Sequence, residues 1–203
     1  MDFQRIFQTI HGALLAMGLN TKKSCVAFNV IGAAILRVHY GLSAYPKIGM
    51  AAYNLDNMNE VVLVFANEIN ANTQNGKMPF HCWVQVDNWF VDFSSPIFPE
   101  ILSASGMING CRRKMFQKPL IEASVSISEL NDTGAFYCLS DQLLSRETIT
   151  NLSNEAFFIY LTNMCLDWYK RPPRKMMSSI GIKNREGIPK KAFRSSITVN
   201  GFW

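Results

Sequence analysis

The sequence predicts an α+β fold in which two helices precede a run of short strands and a further helix follows them. Apolar residues recur at helical spacing over residues 3–17, and a long apolar run follows Cys25. Between residues 45 and 139 the apolar runs are short and separated by turn residues, which is typical of a mainly antiparallel sheet. With 203 residues, 48% of them apolar, the chain can bury a core and is not intrinsically disordered.

The second apolar run, residues 26–38, predicts a buried central helix because it is too long for a typical strand. Thr21 or Ser24 is the expected N-cap, since a hydroxyl there accepts a bond from a free N–H group. Gly41 follows the run directly, where a glycine commonly ends a helix.

The remaining elements follow from local pattern. Strands are expected at residues 45–55, 61–65, 120–127 and 135–139, with a hairpin at residues 80–94. Residues 154–169 predict an amphipathic helix, ended by Pro172 and Pro173. Loops are expected at residues 70–79 and 95–110, and in the last thirty residues only residues 196–199 suggest a strand.

The net charge of +5 is unevenly distributed. Residues 1–167 carry eleven Lys and Arg against fourteen Asp and Glu, a net −3, whereas residues 168–203 carry nine against one, a net +8. We therefore divide the chain into a domain at residues 1–169 and a basic C-terminal segment at residues 170–203 that packs on it. The segment contains no recognisable nucleic-acid module, so wrapping of the slightly acidic body is favoured over binding to nucleic acid.

Several classes of protein are excluded by simple counts. No apolar stretch approaches the roughly 20 residues of a membrane-spanning helix, and the N-terminus lacks the pattern of a secretory signal. The five cysteines are an odd number with no Cys-x-x-Cys pair, which favours a reducing cytoplasm and gives no zinc motif. The spacing of the three histidines indicates no metal site, and nothing calls for a cofactor.

The hairpin carries the first candidate for chemistry. If Asp87 and Asn88 form a two-residue turn, Val84 lies opposite Val91, and alternation of side chains places His81 and Asp92 on one face. As diagonal neighbours they lie about 7–8 Å apart between Cα atoms, within reach of a hydrogen bond between their side chains.

Cys25 supplies the second part of the candidate site. It lies at the start of the predicted central helix, where unpaired N–H groups and the helix dipole favour a thiolate. Cys25 as nucleophile, His81 as base and Asp92 as orienting carboxylate form a catalytic triad. The N–H of Cys25 is a candidate oxyanion donor together with the side chain of Asn20, and Trp83 is a candidate wall of the substrate site. The alternative is that Cys25 is a buried packing residue, as we expect for the other four cysteines.

These segments resemble those of the transglutaminase-like and papain-like cysteine superfamily. The resemblance rests on Ser24-Cys25, on the His-x-Trp-Val-x-Val of residues 81–86 and on the Trp-Phe-Val-Asp of residues 89–92, within residues 20–95. That superfamily includes arylamine N-acetyltransferases and the leader peptidases of lasso-peptide synthesis, and the chain looks closest to an uncharacterised bacterial family assigned to it. The chain departs from the usual pattern just after the cysteine, where Val26 and Ala27 replace an aromatic residue.

The resemblance implies a papain/transglutaminase-like fold for residues 1–169, with the cysteine helix packed on the sheet. It implies a cytoplasmic enzyme that hydrolyses a peptide or amide bond, in a peptide, protein or amide substrate, through a thioester. Acyl transfer to an amine shares the thioester step and stays open at this point. An inactive superfamily member that binds peptides or proteins is a further alternative.

Overall fold

The computed structural model describes residues 1–66, 80–107, 111–184 and 186–203. In these residues the helices are α1 Phe3–Ala16, α2 Cys25–Tyr40, α3 Phe98–Ala104, α4 Gln142–Asn154 and α5 Ala156–Trp168. The strands are β1 Ala44–Asp56, β2 Val61–Phe65, β3 His81–Val86, β4 Trp89–Asp92, β5 Phe116–Pro119, β6 Phe136–Ser140, β7 Ser179–Lys183 and β8 Pro189–Phe193.

The long strand β1 organises the sheet. Its first half pairs with β3, its second half pairs with β2, and β6 pairs with residues 49–53 at its middle. Strands β4 and β5 continue outward from β3, and every one of these pairings is antiparallel. The sheet curls into a half-barrel and combines with the helices, so the predicted α+β class is confirmed.

Two hydrophobic clusters lie on the two faces of the β3–β4 hairpin, because side chains alternate along a strand. Val84 and Val91 pack with α1, α2 and α5 in the larger cluster, where the rings of Phe7 and Phe28 stack 5.7 Å apart. Trp83 belongs to a second, mainly aromatic cluster on the other face. The central helix α2 is therefore held against the hairpin, which brings the first turn of α2 to the start of β3.

The main elements before residue 95 agree with the sequence predictions. Helix α2 begins at Cys25 and ends at Tyr40, and the positive φ of 68° at the following Gly41 lets its N–H bond the carbonyl of Arg37. The expected loop at residues 70–79 lies outside the described residues.

Several predictions after residue 95 were wrong. Residues 95–104 are not irregular, since Ser95–Ile97 is a 3-10 turn that leads into α3, and Pro99 is tolerated in the first turn of that helix; residues 108–110 of the predicted loop lie outside the described residues. Residues 120–127 are not a strand, and their first three residues form a 3-10 turn after β5. Residues 196–199 form no strand, whereas the basic segment before them contains the β7–β8 hairpin.

The C-terminal segment packs against α1. The amide of Gln8 donates to the carbonyl of Ile197 over 2.8 Å. The backbone of Phe193 approaches Gly12 so closely that a Cβ at residue 12 would lie 2.1 Å from the Phe193 carbonyl oxygen. The basic segment is thus in contact with the body of the protein.

Within the described parts of the chain, no helix combines the length and the apolar character needed to cross a membrane. The same residues contain no group of three or more His, Cys, Asp or Glu placed to hold a metal ion.

Candidate active site

The β3–β4 hairpin has the predicted register. Asp87 and Asn88 form the turn, with Asp87 at a φ of 50°, and Val84 pairs with Val91. This register places His81 and Asp92 on one face, where Nε2 of His81 donates to Oδ2 of Asp92 over 2.7 Å. Both side chains are fully buried.

The carboxylate of Asp92 is surrounded by donors. Its Oδ1 accepts from the backbone N–H of Ser94 at 2.8 Å, from the Ser94 hydroxyl at 2.6 Å and from Asn29 at 3.1 Å. Its Oδ2 accepts from Tyr53 at 3.0 Å in addition to His81. Burial alone would raise the pKa of Asp92, but His81 and these hydrogen bonds outweigh burial and lower that pKa, so Asp92 is an anion.

The imidazole of His81 lies in an aromatic box. The ring of Phe65 stacks on it with centroids 4.1 Å apart, and the ring of Tyr53 meets it edge-on at 5.7 Å. Burial opposes the protonated ring, but the Asp92 carboxylate and Cys25 outweigh burial and raise the pKa of His81 to about 9. The aromatic box therefore holds an imidazolium that is paired with a carboxylate.

Cys25 is the group on the other side of His81. Cys25 acts with Asp92 to raise the pKa of the imidazole, and Nδ1 of the ring has no hydrogen-bond partner among the described residues. Cys25 is 5% exposed, is the first residue of α2 and packs against Ile48 and Cys82. The structure thus brings Cys25, His81 and Asp92 together in the order that the sequence predicts.

The first turn of α2 has no side-chain cap. Ser24 occupies the N-cap position, but its hydroxyl donates to the carbonyl of Asn20 over 2.8 Å and accepts no bond from the helix. The N–H groups at the start of α2, beginning with that of Cys25, are therefore left without the usual hydroxyl acceptor.

Asn29 is a site residue that sequence reasoning missed. Its Nδ2 lies 3.0 Å from the carbonyl of Cys25, 2.7 Å from the carbonyl of Cys82 and 3.1 Å from Oδ1 of Asp92. Its Oδ1 accepts from the N–H of Phe93 at 2.9 Å. The available signal was a single amide within the apolar run of residues 26–36, because a buried polar side chain requires partners.

The two predicted substrate residues lie in different surroundings. Asn20 is exposed and caps the 3-10 turn Thr21–Lys23, with its Oδ1 accepting from the N–H of Lys22 at 3.1 Å. Trp83 is 2% exposed and stacks on Phe90 with centroids 5.5 Å apart, the contacts of a core residue. The roles predicted for Asn20 and Trp83 in binding substrate stay predictions.

The other four thiols are partly or fully buried. Burial raises the pKa of Cys111 and of Cys138 to about 11 and that of Cys165 to about 12. Burial also raises the pKa of Cys82 well above its ordinary value. All five thiols are free, and these four are held in the neutral form.

Comparison with known proteins places the chain in a family. Residues 1–203 match the family described as "Protein of unknown function (DUF2026)". A solved structure described as "The crystal structure of genomics APC5867" is similar, with a TM-score of 0.84 and 30% identity over 100% of this chain and 95% of the other. No curated protein matches. The match over the whole length shows that this chain belongs to the DUF2026 family.

Proposed function

We propose that the protein is a cysteine-dependent acyl-transfer enzyme that hydrolyses peptide or amide bonds through a thioester on Cys25. The observation that carries the proposal is the arrangement of His81, which donates to Asp92 over 2.7 Å, leaves Nδ1 without a hydrogen-bond partner among the described residues and has its pKa raised in part by Cys25. A nucleophile, a base and a group that orients the base are the parts that covalent acyl transfer requires.

The proposed mechanism starts from a thiolate on Cys25 and an imidazolium on His81. The raised pKa of His81 keeps the ring protonated at neutral pH. Asp92 fixes the orientation of the ring by occupying Nε2, which leaves Nδ1 for the thiol. The mechanism therefore places the proton that the leaving group needs on His81 before substrate arrives.

In the first half of the reaction the Cys25 sulfur attacks the carbonyl carbon, and the carbonyl π electrons move onto oxygen. The uncapped N–H of Cys25 is the proposed donor to that oxyanion, with Asn20 on the adjoining turn as the second. His81 transfers its Nδ1 proton to the departing amine as the C–N bond breaks. The acyl group is left on Cys25 as a thioester.

In the second half His81, now neutral, takes a proton from water as that water attacks the thioester. The C–S bond then breaks, and the released thiolate pairs again with the protonated ring. Within this proposal the α2–β3–β4 unit is a papain/transglutaminase-like arrangement, the substrate is a peptide, protein or amide, and the compartment is the cytoplasm.

Two alternatives differ from this proposal at defined steps. An acyltransferase would pass the acyl group from Cys25 to an amine in place of water. An inactive peptide-binding member would form no thioester at all, and the deep burial of Cys25, at 5% exposure, is the observation that favours this second alternative.

The test is capture of the acyl-enzyme. The protein is mixed with p-nitrophenyl acetate, quenched in acid and analysed by intact-protein and peptide mass spectrometry. We expect acetylation of Cys25 that hydroxylamine removes, loss of that adduct in Cys25→Ser, and retention in the matched control Cys138→Ser. Acetylation spread over all five cysteines, or its absence from Cys25, would contradict the proposal.

A further inference from the structure

A cleft with cationic walls lies between α2, the first half of β1 and α4. Its volume is about 430 Å³. Its lining comes from these three elements and from the end of β6, and it includes Val30, Arg37, Pro46, Lys47, Ser145 and Arg146. The proposed reaction uses none of these residues.

The walls of the cleft carry positive charge without a counter-charge. Arg37, Lys47 and Arg146 line it, no carboxylate does, and none of the three forms an ion pair within the described part of the chain. Arg37 is held in place because its guanidinium donates to the carbonyl of Ala44 over 2.6 Å. A cleft of this kind is complementary to carboxylate groups.

The near end of the cleft adjoins the nucleophile. Ile48 packs against Cys25, and its N–H donates to the hydroxyl of Ser145, a cleft residue, over 2.9 Å. Along α2, Val26 packs against Cys25 and its neighbours, while Val30 lines the cleft one turn later, about 6 Å further along the helix. An extended chain advances about 3.3 Å per residue, so the near end lies roughly two residues from the reacting carbonyl.

Among the described residues, the strand edge at the floor of the cleft has no strand partner. Ile48 directs its backbone N–H and C=O to Ser145 and Asp141 rather than to β3. Pro46, two residues earlier, directs its backbone the same way, and it has a carbonyl but no N–H to offer. The edge can therefore accept a hydrogen bond from a peptide N–H group, in the manner of an added strand.

We propose that this cleft binds the acidic side of an extended peptide substrate, with Asp or Glu side chains roughly two to five residues from the scissile bond. Lys47 precedes Ile48 in the sequence, and Arg146 follows Ser145. In the proposed complex both cationic side chains contact the nearer acidic residue. Arg37, twelve residues after Cys25 and about 18 Å along the helix, contacts the farther one. The inference rests on the proposed function in one respect, namely that the bound peptide is cleaved at Cys25. Binding of the peptide in the cleft does not depend on that function.

Binding is tested without the thiol chemistry. The fluorescence anisotropy of a fluorescein-labelled peptide of alternating Glu and Gly is titrated with protein, and a Lys–Gly peptide serves as comparison. We expect the Glu peptide alone to bind, with about tenfold weaker binding in Lys47→Glu/Arg146→Glu and in 1 M NaCl. The variant Lys190→Glu/Lys191→Glu makes the same charge change on exposed β8 and should leave the affinity unchanged.

A second measurement connects the cleft to Cys25. Two peptidyl chloromethyl ketones that differ only in Glu or Lys at the second to fifth residues compete for the protein, and labelling of Cys25 is followed by mass spectrometry. The acidic probe should react about tenfold faster, and Lys47→Glu/Arg146→Glu should abolish this preference.

The outcomes separate the two proposals. Equal binding of the Glu and Lys peptides, or unchanged binding in Lys47→Glu/Arg146→Glu, overturns the acidic-peptide cleft whatever Cys25 does. Binding of a DNA oligonucleotide at least as tight as that of the Glu peptide, lost in the same variant, overturns it in favour of a general polyanion site. Selective binding of the Glu peptide by a protein whose Cys25 does not react would sustain the cleft and refute the hydrolase.

Discussion

Asn29 and Asp92 are 63 residues apart in the sequence, and a buried hydrogen bond of 3.1 Å joins their side chains. The same amide nitrogen of Asn29 reaches the carbonyls of Cys25 and Cys82. The Asn29 side chain on α2 thereby connects Cys82 in β3, Asp92 at the end of β4 and the first residue of its own helix. This amide therefore links the start of α2 to the carboxylate at the end of β4.

Removal of that amide should cost stability. Asn29→Ala leaves Oδ1 of Asp92 and the carbonyl of Cys82 with fewer donors in a buried site, so we expect a loss of about 3 kcal/mol in the free energy of unfolding. Urea denaturation measures it. The matched control is Asn163→Ala, which truncates an exposed asparagine on α5 and should change stability by less than about 0.5 kcal/mol. Equal effects of the two substitutions would show that Asn29 connects nothing.

The charge state of His81 can be read directly by proton NMR. The wild-type ring should titrate near pH 9, because Asp92 and Cys25 outweigh burial, whereas burial should keep the pKa of His11 below 6.5. In Asp92→Asn the pKa of His81 should fall well below the wild-type value, because burial then acts with less opposition. The pKa of His11 should not move. An unchanged titration of His81 in Asp92→Asn would contradict the ion pair.

The same raised pKa predicts how stability depends on pH. A folded-state pKa of about 9, above the unfolded value of 6.5, stabilises the folded protein below pH 6.5, and this contribution is lost as the pH rises through 9. The loss should be about 3 kcal/mol between those limits. Urea midpoints at a series of pH values measure it. In His81→Phe the free energy of unfolding should decrease less as the pH rises. A decrease in the variant as large as in the wild type would show that other groups cause it.

Close packing of α2 on the end of β4 gives a further prediction. A methyl group at Gly32 would lie 2.2 Å from the ring of Phe93, the residue after Asp92. Ala is favoured over Gly in a helix, yet we expect Gly32→Ala to destabilise the protein by about 1–3 kcal/mol through overpacking. At Gly181 an added Cβ meets nothing within 4 Å, so Gly181→Ala is the control. Thermal denaturation of both variants measures the change in stability. A Gly32→Ala protein more stable than the wild type would contradict the predicted overpacking.

The catalytic candidates could be predicted from sequence because each depends on local rules. The turn at Asp87 fixes the hairpin register, and the register fixes the shared face of His81 and Asp92. The long apolar run after Cys25 identifies a helix start, and Gly41 identifies its end. These signals lie within a few residues of the structure they predict.

The aromatic neighbours of His81 could not be predicted in this way. Phe65 on β2 and Tyr53 on β1 reach His81 only because β1 pairs with both β2 and β3. Helix α4 was missed because it is mostly polar and buries only Ser145, so it has little apolar periodicity. The β7–β8 hairpin was missed because its strands are largely exposed and rich in lysine.

The central claim is that His81 activates Cys25, and the pH dependence of alkylation tests it most directly. Iodoacetamide is reacted with the wild type and with His81→Ala from pH 5.5 to 9.5, and the rate at each cysteine is followed by mass spectrometry. We predict that Cys25 reacts faster than the other four thiols at pH 6.5, and that His81→Ala slows the reaction of Cys25 but not that of the other four. Uniform alkylation of all five cysteines, or a Cys25 profile that His81→Ala leaves unchanged, would contradict the account.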